Sequence, residues 1–127
     1  MKTILIIEDN EDILENFTEY LEMEGYKILA ANNGKRGVEL AREFIPDLII
    51  CDVMMHEIDG YGVLHLLLET SETHEIPFIF STSMSEKVDR AEALRLGADD
   101  YIVKPFESPT LLVMAKKWIK SGSHRHK

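Results

Sequence analysis

Acidic and lysine side chains stand directly after several short apolar segments of this 127-residue chain. Glu8 and Asp9 follow TILII, Asp52 closes LIICD, and Lys104 follows DYIV. The segment PFIF is followed by three hydroxyl side chains, those of Ser81, Thr82 and Ser83. A continuous apolar segment is typical of a strand that is buried on both faces. Because a lone carboxylate is costly to bury, the position of Asp52 indicates chemistry rather than packing.

The segments that would position these side chains alternate between strand and helix patterns. The strand patterns are TILIIED, KILAA, LIICD, PFIFS and DYIV. Apolar residues at helical spacing follow them within residues 13–21, 38–45, 61–68, 88–94 and 112–119. Five successive strand–helix units predict a single α/β domain, a five-stranded parallel sheet with five helices on its two faces. We assign this domain to residues 1–120 and expect residues 121–127 to form a polar tail or linker.

In an open α/β sheet, ligands bind beyond the carboxyl ends of the strands, where Glu8, Asp9 and Asp52 are expected. Three ionised carboxylates would repel one another, and Mg²⁺, which prefers oxygen ligands, would relieve that repulsion. The ammonium group of Lys104 suits a phosphate oxygen, and Thr82 offers a hydroxyl donor. Together these groups can hold a phosphoryl group during its transfer. Asp52 would then be the nucleophile and would form an aspartyl phosphate.

Four segments together resemble the signatures of the response-regulator receiver domain of two-component signalling. They are IIEDN, CDVMM with DG three residues later, IPFIFSTS and DDYIVKPF. The resemblance covers nearly the whole chain, in the order and at the spacing of the family. It implies a doubly wound, flavodoxin-like sheet with the strand order 2-1-3-4-5. It also implies a phosphorelay switch rather than an enzyme, catalysing only its own phosphoryl transfer and slow autodephosphorylation.

The resemblance identifies Asp52 as the phosphoacceptor and Glu8 and Asp9 as the acidic pair that binds Mg²⁺. The backbone carbonyl of Met54 matches a further metal ligand. Met54 and Met84 also match positions that, in the family, modulate the lifetime of the phosphoryl group. Because a thioether cannot orient water by a strong hydrogen bond, we expect a phosphorylated form that is not among the shortest-lived.

The resemblance also implies how the switch would respond to the phosphoryl group. Lys104 matches the lysine that binds the phosphate, with a cis bond to Pro105. Thr82 matches the hydroxyl that moves towards the phosphate, and Tyr101 the aromatic side chain that turns inward with it. Ser83 matches a small residue that leaves room for the phosphoryl group.

Several of these side chains also have a purely structural interpretation. Asp9, Asn10 or Asp12 could cap the first helix, which would not exclude metal binding. Tyr101 could be ordinary strand packing, because aromatic residues favour strands. His56 stands where the family commonly has proline, and we interpret it as an exposed loop histidine rather than a participant in transfer.

The last helix carries more apolar residues than one sheet face requires. Its predicted inner face consists of Leu112, Ala115 and Ile119. Leu111, Met114 and Trp118 lie beside that face and widen the apolar stripe. This stripe could bind a partner or form a homodimer, as the face of the fourth helix, fifth strand and fifth helix does in many receivers. Alternatively, Trp118 packs back onto its own domain, and the sequence leaves both readings open.

Composition restricts the partners and the location of the protein. A formal net charge of −9 and a pI near 5.0 argue against direct nucleic-acid binding, which relies on Lys and Arg. No segment approaches the ~20 apolar residues of a membrane span, and the amino terminus does not fit a signal peptide. We therefore expect a soluble, cytoplasmic protein. Its single cysteine, Cys51, excludes an internal disulfide and is expected to be a buried, inert thiol.

The expected partners are a histidine kinase or phosphotransfer protein as phosphoryl donor and a downstream effector protein or domain. A competing interpretation is an aspartate-nucleophile phosphohydrolase, which also combines Asp, Mg²⁺, Lys and a hydroxyl. Such enzymes typically carry a second Asp two residues after the nucleophile, and Met54 at that position cannot move a proton. A degenerate receiver that only binds proteins is disfavoured, because every chemical position is filled.

Overall fold

The computed structural model describes residues 1–83, 90–104 and 108–122, in which five strands alternate with five helices. The strands are β1 (Thr3–Ile7), β2 (Lys27–Ala31), β3 (Leu48–Asp52), β4 (Phe78–Ser83) and β5 (Asp100–Lys104). The helices are α1 (Glu11–Met23), α2 (Gly34–Phe44), α3 (Gly60–Leu68), α4 (Arg90–Arg95) and α5 (Ser108–Ser121). Each predicted strand–helix unit is therefore present. Val88, which helped to predict the fourth helix, lies outside the described residues.

The five strands are parallel and lie in the order β2-β1-β3-β4-β5, which confirms the order implied by the resemblance. The strand order reverses between the neighbours β1 and β3, and such a switch point opens a crevice beyond the carboxyl ends of the strands. The register pairs Ile7 with Cys51 and Asp52 with Ser81. β1 and β3 therefore end within one residue of each other and β4 continues two residues further, so the residues near these ends lie at one edge of the sheet.

Two apolar cores lie on opposite faces of the sheet, because successive side chains of a strand alternate between faces. One core joins Ile6 and Ile50 of the sheet to Leu21 of α1 and Ala115 of α5. The other core joins the alternate strand residues, such as Phe80, to α2, α3 and α4. Helices thus cover both faces of the sheet. The carboxyl ends of its strands carry the candidate site residues.

Side-chain caps fix the start of the two helices that follow β1 and β3. The side-chain oxygen of Asn10 accepts a hydrogen bond from the backbone N–H of Ile13, at 3.0 Å. Of the three candidates for this cap, the structure selects Asn10. Asp59 caps α3 in the same way, accepting from the backbone N–H of Gly62 at 2.9 Å. Both caps satisfy N–H groups that the first turn of a helix leaves without a partner.

The inner face of α5 is broader than predicted. Ala115 is buried in the core, but Leu111, which we placed beside the inner face, is buried there too. The indole Nε1 of Trp118 donates a hydrogen bond to Oδ2 of Asp100, at 2.9 Å. Asp100 begins β5 of the same domain, so Trp118 packs back onto its own chain. That alternative for Trp118 is the one the structure supports.

Two element ends depart from the predicted patterns. Phe44 and Ile45 fit the helical spacing of α2, yet they are 48% and 44% exposed. Phe44 is the last residue of the helix, and Ile45 follows it with a left-handed φ of 44°, so the helical spacing no longer directs the side chain of Ile45 inward. The strand β4 begins at Phe78 and continues to Ser83, two residues beyond the predicted PFIFS. The hydroxyl residues after PFIF are therefore part of the strand.

The single cysteine lies in the core, as predicted. Cys51 is fully buried in β3, and burial, followed by the charges of Asp52 and Glu8, raises the pKa of its thiol well above the ordinary value. The thiol therefore stays protonated at neutral pH. None of the helices in the described part of the chain is both long enough and apolar enough to cross a bilayer.

Candidate functional site

The carboxylate of Glu8 is held at the end of β1 by groups on both sides. Its Oε2 accepts a hydrogen bond from the backbone N–H of Asn10, at 3.1 Å, and its backbone N–H donates to the carbonyl of Ala31 on β2. Glu8 is buried, whereas Asp9 is half-buried. The first turn of α1 thus orients Glu8 towards the neighbouring strand and leaves Asp9 nearer to solvent.

Lys104 joins the ends of β1, β3 and β5. Its Nζ lies 3.0 Å from Oε1 of Glu8 and 3.3 Å from Oδ1 of Asp52. The three side chains are separated by up to 96 positions in the sequence, and only the parallel sheet brings them together. One ammonium group is therefore shared between two buried carboxylates, which leaves the site with a net negative charge.

Three carboxylates converge beside that ammonium group. One ligand oxygen from each of Glu8, Asp9 and Asp52 lies within 4.8 Å of the other two. Oxygen donors of this kind suit a hard cation such as Mg²⁺, and one ammonium group does not neutralise three carboxylates. The donor set therefore fits the metal that the sequence predicts.

Burial and neighbouring charges shift the pKa values of both Asp52 and Lys104. Burial, then the charge of Glu8, raises the pKa of Asp52 from 3.8 to about 7, although Lys104 acts in the opposite direction. Burial alone would lower the pKa of Lys104, but its hydrogen bonds and ion pairs with Glu8 and Asp52 raise it above the ordinary value. Lys104 therefore stays charged, whereas the carboxyl group of Asp52 gives up its proton less readily than an exposed aspartate does. A further cation would favour its ionised form.

The loop after β3 returns tightly to the backbone of Asp52. The backbone N–H of Gly60 donates to the carbonyl of Val53, at 2.7 Å. A Cβ atom at Gly60 would lie 2.9 Å from Cα of Val53 and would collide with the carbonyl oxygen of Asp52. Only glycine permits this approach. We assigned no role to Gly60 from the sequence, although its DG pair belongs to one of the four signature segments.

Ser83 pairs with Lys104 in the sheet, whereas Thr82 and Tyr101 form no hydrogen bond with Glu8, Asp52 or Lys104 among the described residues. Thr82 is buried and pairs with Val103 in the sheet, and it forms no hydrogen bond with Asp52 in the part of the chain that the structure describes. Ser83 and Tyr101 are half-buried, and Tyr101 packs on the core that faces α2, α3 and α4. Their roles in a switch remain predictions.

Ser81, rather than Thr82, is the residue of β4 that pairs with Asp52. From the sequence we named Ser81 together with the neighbouring hydroxyl residues after PFIF and predicted no role for it. Strand alternation from Phe80, a core position, would have separated the two hydroxyl residues by face.

The side chains of Met54 and His56, in the loop after β3, are exposed to solvent. The side chain of Met54 is 61% exposed, and His56 is exposed, as we expected for a loop histidine. Metal binding by the carbonyl of Met54 stays a prediction. Met84 and Pro105, to which the sequence assigned a lifetime effect and a cis bond, lie outside the described residues.

Comparison with known proteins gives consistent matches along the chain. The sequence model of the response regulator receiver domain matches residues 4–116. The chain is 39% identical over 114 residues to "Response regulator SaeR" of Staphylococcus aureus (strain USA300), covering 90% of this chain and 48% of SaeR. The chain thus spans about half the length of the curated relatives it matches.

Solved structures show the same fold. The signal receiver domain of a signal transduction histidine kinase from Syntrophus aciditrophicus is 35% identical, with a TM-score of 0.86 and coverage of 95% of this chain and 92% of that one. The receiver domain of sensor histidine kinase PA1611 from Pseudomonas aeruginosa PAO1 is 27% identical, with a TM-score of 0.86 and coverage of 94% and 98%. That structure is described as having a magnesium ion coordinated in the active site cleft.

Proposed function

This chain belongs to the response regulator receiver domain family of two-component signalling, and we propose that it is a phosphorylation-dependent switch with Asp52 as its phosphoacceptor. The observation that carries this proposal is the position of Lys104, whose ammonium group contacts both Asp52 and Glu8. These contacts support a role for Lys104 as the phosphate-binding cation and for Asp52 as the nucleophile.

Mg²⁺ is the cofactor that the donor set favours. Glu8, Asp9 and Asp52 would hold it, with the backbone carbonyl of Met54 as a further ligand. When bound, Mg²⁺ would supply positive charge against the carboxylates and the phosphoryl oxygens. The carboxyl group of Asp52 would then be ionised, which is the form that acts as a nucleophile.

Asp52 and Lys104 would perform the phosphoryl transfer in the following way. A carboxylate oxygen of Asp52 forms a bond to phosphorus, and the bond from phosphorus to the donor breaks, with its electron pair leaving on the donor. Lys104 holds a phosphoryl oxygen by charge and hydrogen bonding. A histidine kinase or a phosphotransfer protein would be the donor.

Loss of the phosphoryl group reverses the role of Asp52. The oxygen of a water molecule bonds to phosphorus, and the bond from phosphorus to Asp52 breaks, returning its electron pair to the carboxylate. The exposed thioether of Met54, two residues away, cannot take a proton from that water. This supports a slow autodephosphorylation and argues against a hydrolase that turns over outside substrates.

The signal would pass to a partner through the last strand and its neighbouring helices. A doubly charged phosphoryl group on Asp52 would draw in the hydroxyl of Thr82, and Tyr101 would turn inward with it. The face formed by α4, β5 and α5 would then change its preference for an effector or for a second copy of the chain. Phosphorylation can only shift states that are already accessible.

The test is to incubate the protein with acetyl phosphate, with and without Mg²⁺, and to measure its intact mass. We expect a Mg²⁺-dependent phosphoryl adduct in the wild type and in Asp12→Asn, an exposed acid of α1 that serves as the matched control. Asp52→Asn should form none. An adduct of equal yield on Asp52→Asn would show that the phosphoacceptor lies elsewhere. Steady release of phosphate without an adduct would favour the hydrolase.

A further inference from the structure

The hydroxyl of Ser81 is buried in an unusual way. The residue is 1% exposed in β4, and its Oγ has no hydrogen-bond partner among the residues that the structure describes. A hydroxyl that is removed from water without a partner is destabilising. In native proteins such groups are rare, and each calls for a specific explanation.

The sheet determines which groups surround this hydroxyl. Ser81 pairs with Asp52 on β3 and with Ile102 on β5, and neighbouring strands lie about 4.8 Å apart. Ile79, two residues earlier on the same face, and Ile102 both belong to the core beneath α1 and α5. At its level in the sheet, the polar side chain beside Ser81 is therefore that of Asp52. The backbone reinforces this register, because Val53 N–H donates to the Ser81 carbonyl at 3.2 Å.

The carboxyl group of Asp52 can accept a hydrogen bond from the hydroxyl of Ser81. Oδ1 accepts from Lys104 and the carboxyl group is also hydrogen-bonded to Glu8, but each carboxyl oxygen has two lone pairs and can accept a further hydrogen bond. Nucleophilic attack uses one oxygen, which becomes bonded to phosphorus. The other oxygen then becomes a carbonyl oxygen, which a hydroxyl can hold by donating a hydrogen bond.

We propose that Ser81 is a positioning residue for Asp52, a role that rests on the proposed phosphoacceptor function. Its hydroxyl donates to the carboxyl oxygen that does not attack and so fixes the plane of the carboxylate for transfer. Ser81 exchanges no proton and forms no covalent bond. In the transfer step, one Asp52 oxygen bonds to phosphorus and the donor leaves with the electron pair of the broken bond. The hydroxyl is thus paired during transfer and unpaired at rest.

This role predicts opposite effects on stability and on transfer. In EDTA, Ser81→Ala should raise the melting temperature by about 2–5 °C, because it removes a buried hydroxyl that has no partner. In Mg²⁺, the same variant should form the adduct about five- to tenfold more slowly, as expected for the loss of one hydrogen bond to an uncharged carbonyl oxygen. A serine with a purely structural hydrogen bond would show a lower melting temperature and an unchanged rate.

The experiment compares the wild type with Ser81→Ala, Ser81→Thr and Ile79→Val, using acetyl phosphate over a range of concentrations at fixed Mg²⁺. Adduct formation is followed by intact mass. The maximal rate of Ser81→Ala should fall while the half-saturating donor concentration stays constant, because donor binding is untouched. Threonine, which keeps the hydroxyl, should restore the rate to within about twofold. Ile79→Val, a packing change on the same face, should leave it within about twofold of the wild type.

Each result is decisive for one of the two proposals. If Ser81→Ala forms the adduct at the wild-type rate, the positioning role is wrong and the phosphoacceptor function stands. If Ser81→Thr is as slow as Ser81→Ala, the effect comes from packing in β4, and the role is again wrong. If the wild type forms no adduct, the proposed function fails and the role of Ser81 fails with it.

Discussion

Asp52→Asn should stabilise the metal-free protein at neutral pH. The carboxyl group of Asp52 is buried beside Glu8, and both share the single charge of Lys104. Burial and the charge of Glu8 raise its pKa from 3.8 to about 7. The unfolded chain can therefore ionise Asp52 more readily than the folded chain can, which favours unfolding. The amide of asparagine has nearly the same shape as the carboxyl group and does not ionise, so the variant avoids this loss of stability.

The size of the effect follows from the two pKa values. The interval between 3.8 and about 7 corresponds to at most about 4 kcal/mol. Screening by solvent at the open edge reduces that figure, and the variant also loses the ion pair with Lys104. We therefore expect a gain of about 1–2 kcal/mol, which corresponds to about 4–7 °C in melting temperature for a domain of this length.

The pH dependence has a definite sign. Below pH ~4 the carboxyl group is protonated in both the folded and the unfolded protein, so the wild type carries no penalty. Between pH 4 and about 7 the unfolded chain loses its proton first, and the wild type loses stability relative to Asp52→Asn. Above about pH 7 both states are ionised and the difference stays constant. The raised pKa of Lys104 acts only at alkaline pH, outside this interval.

Thermal unfolding followed by circular dichroism in EDTA, at pH 4.5, 6.0 and 7.5, measures the effect. Glu15→Gln is the matched control, because it removes one negative charge from an exposed position of α1. The control should change the melting temperature by little at any pH. Asp52→Asn should gain most at pH 7.5. An equal gain at all three pH values, or a loss at pH 7.5, would refute the electrostatic account of the site.

Three further predictions test the metal, the loop and the last helix. Mg²⁺ at a hundredfold excess over its dissociation constant should stabilise the wild type by about 2.7 kcal/mol, and Asp9→Asn should lose most of that gain in the same melting experiment. Gly60→Ala should destabilise the protein by about 1–3 kcal/mol in urea unfolding, because the added Cβ collides with the backbone at Val53. Trp118→Phe should cost about 1–2 kcal/mol in the same assay, because it removes the hydrogen bond to Asp100; an unchanged midpoint would mean that this bond contributes nothing.

The sheet and the charged part of the site could be predicted from the sequence for a physical reason. Buried parallel strands need continuous apolar segments, and the carboxyl ends of parallel strands must meet at one edge. Glu8, Asp52 and Lys104 each follow such a segment, so their meeting needs no knowledge of side-chain conformation. The strand order came from the resemblance rather than from the residues.

The contacts that the sequence did not reveal depend on register and rotamer. Ser81 and Thr82 both follow PFIF, yet only the pairing of β4 with β3 shows that Ser81 lies beside Asp52. The hydrogen bond from Trp118 to Asp100 joins a helix end to a strand start, and helical periodicity cannot predict such a pair. Periodicity also misplaced Ile45, because it assumes a helix that continues beyond its real end.

On the proposed function, Lys104 would make the site sensitive to phosphorylation and would connect it to the rest of the fold. In the resting protein its ammonium group is shared between Glu8 and Asp52. On the proposed function, a phosphoryl group replaces the single charge of Asp52 by two charges further from the strand. Lys104 must then divide its contacts differently between Glu8 and the new group. Because Lys104 is the last residue of β5, any change in its contacts acts directly on the strand that precedes α5, and so on the surface through which the signal would leave.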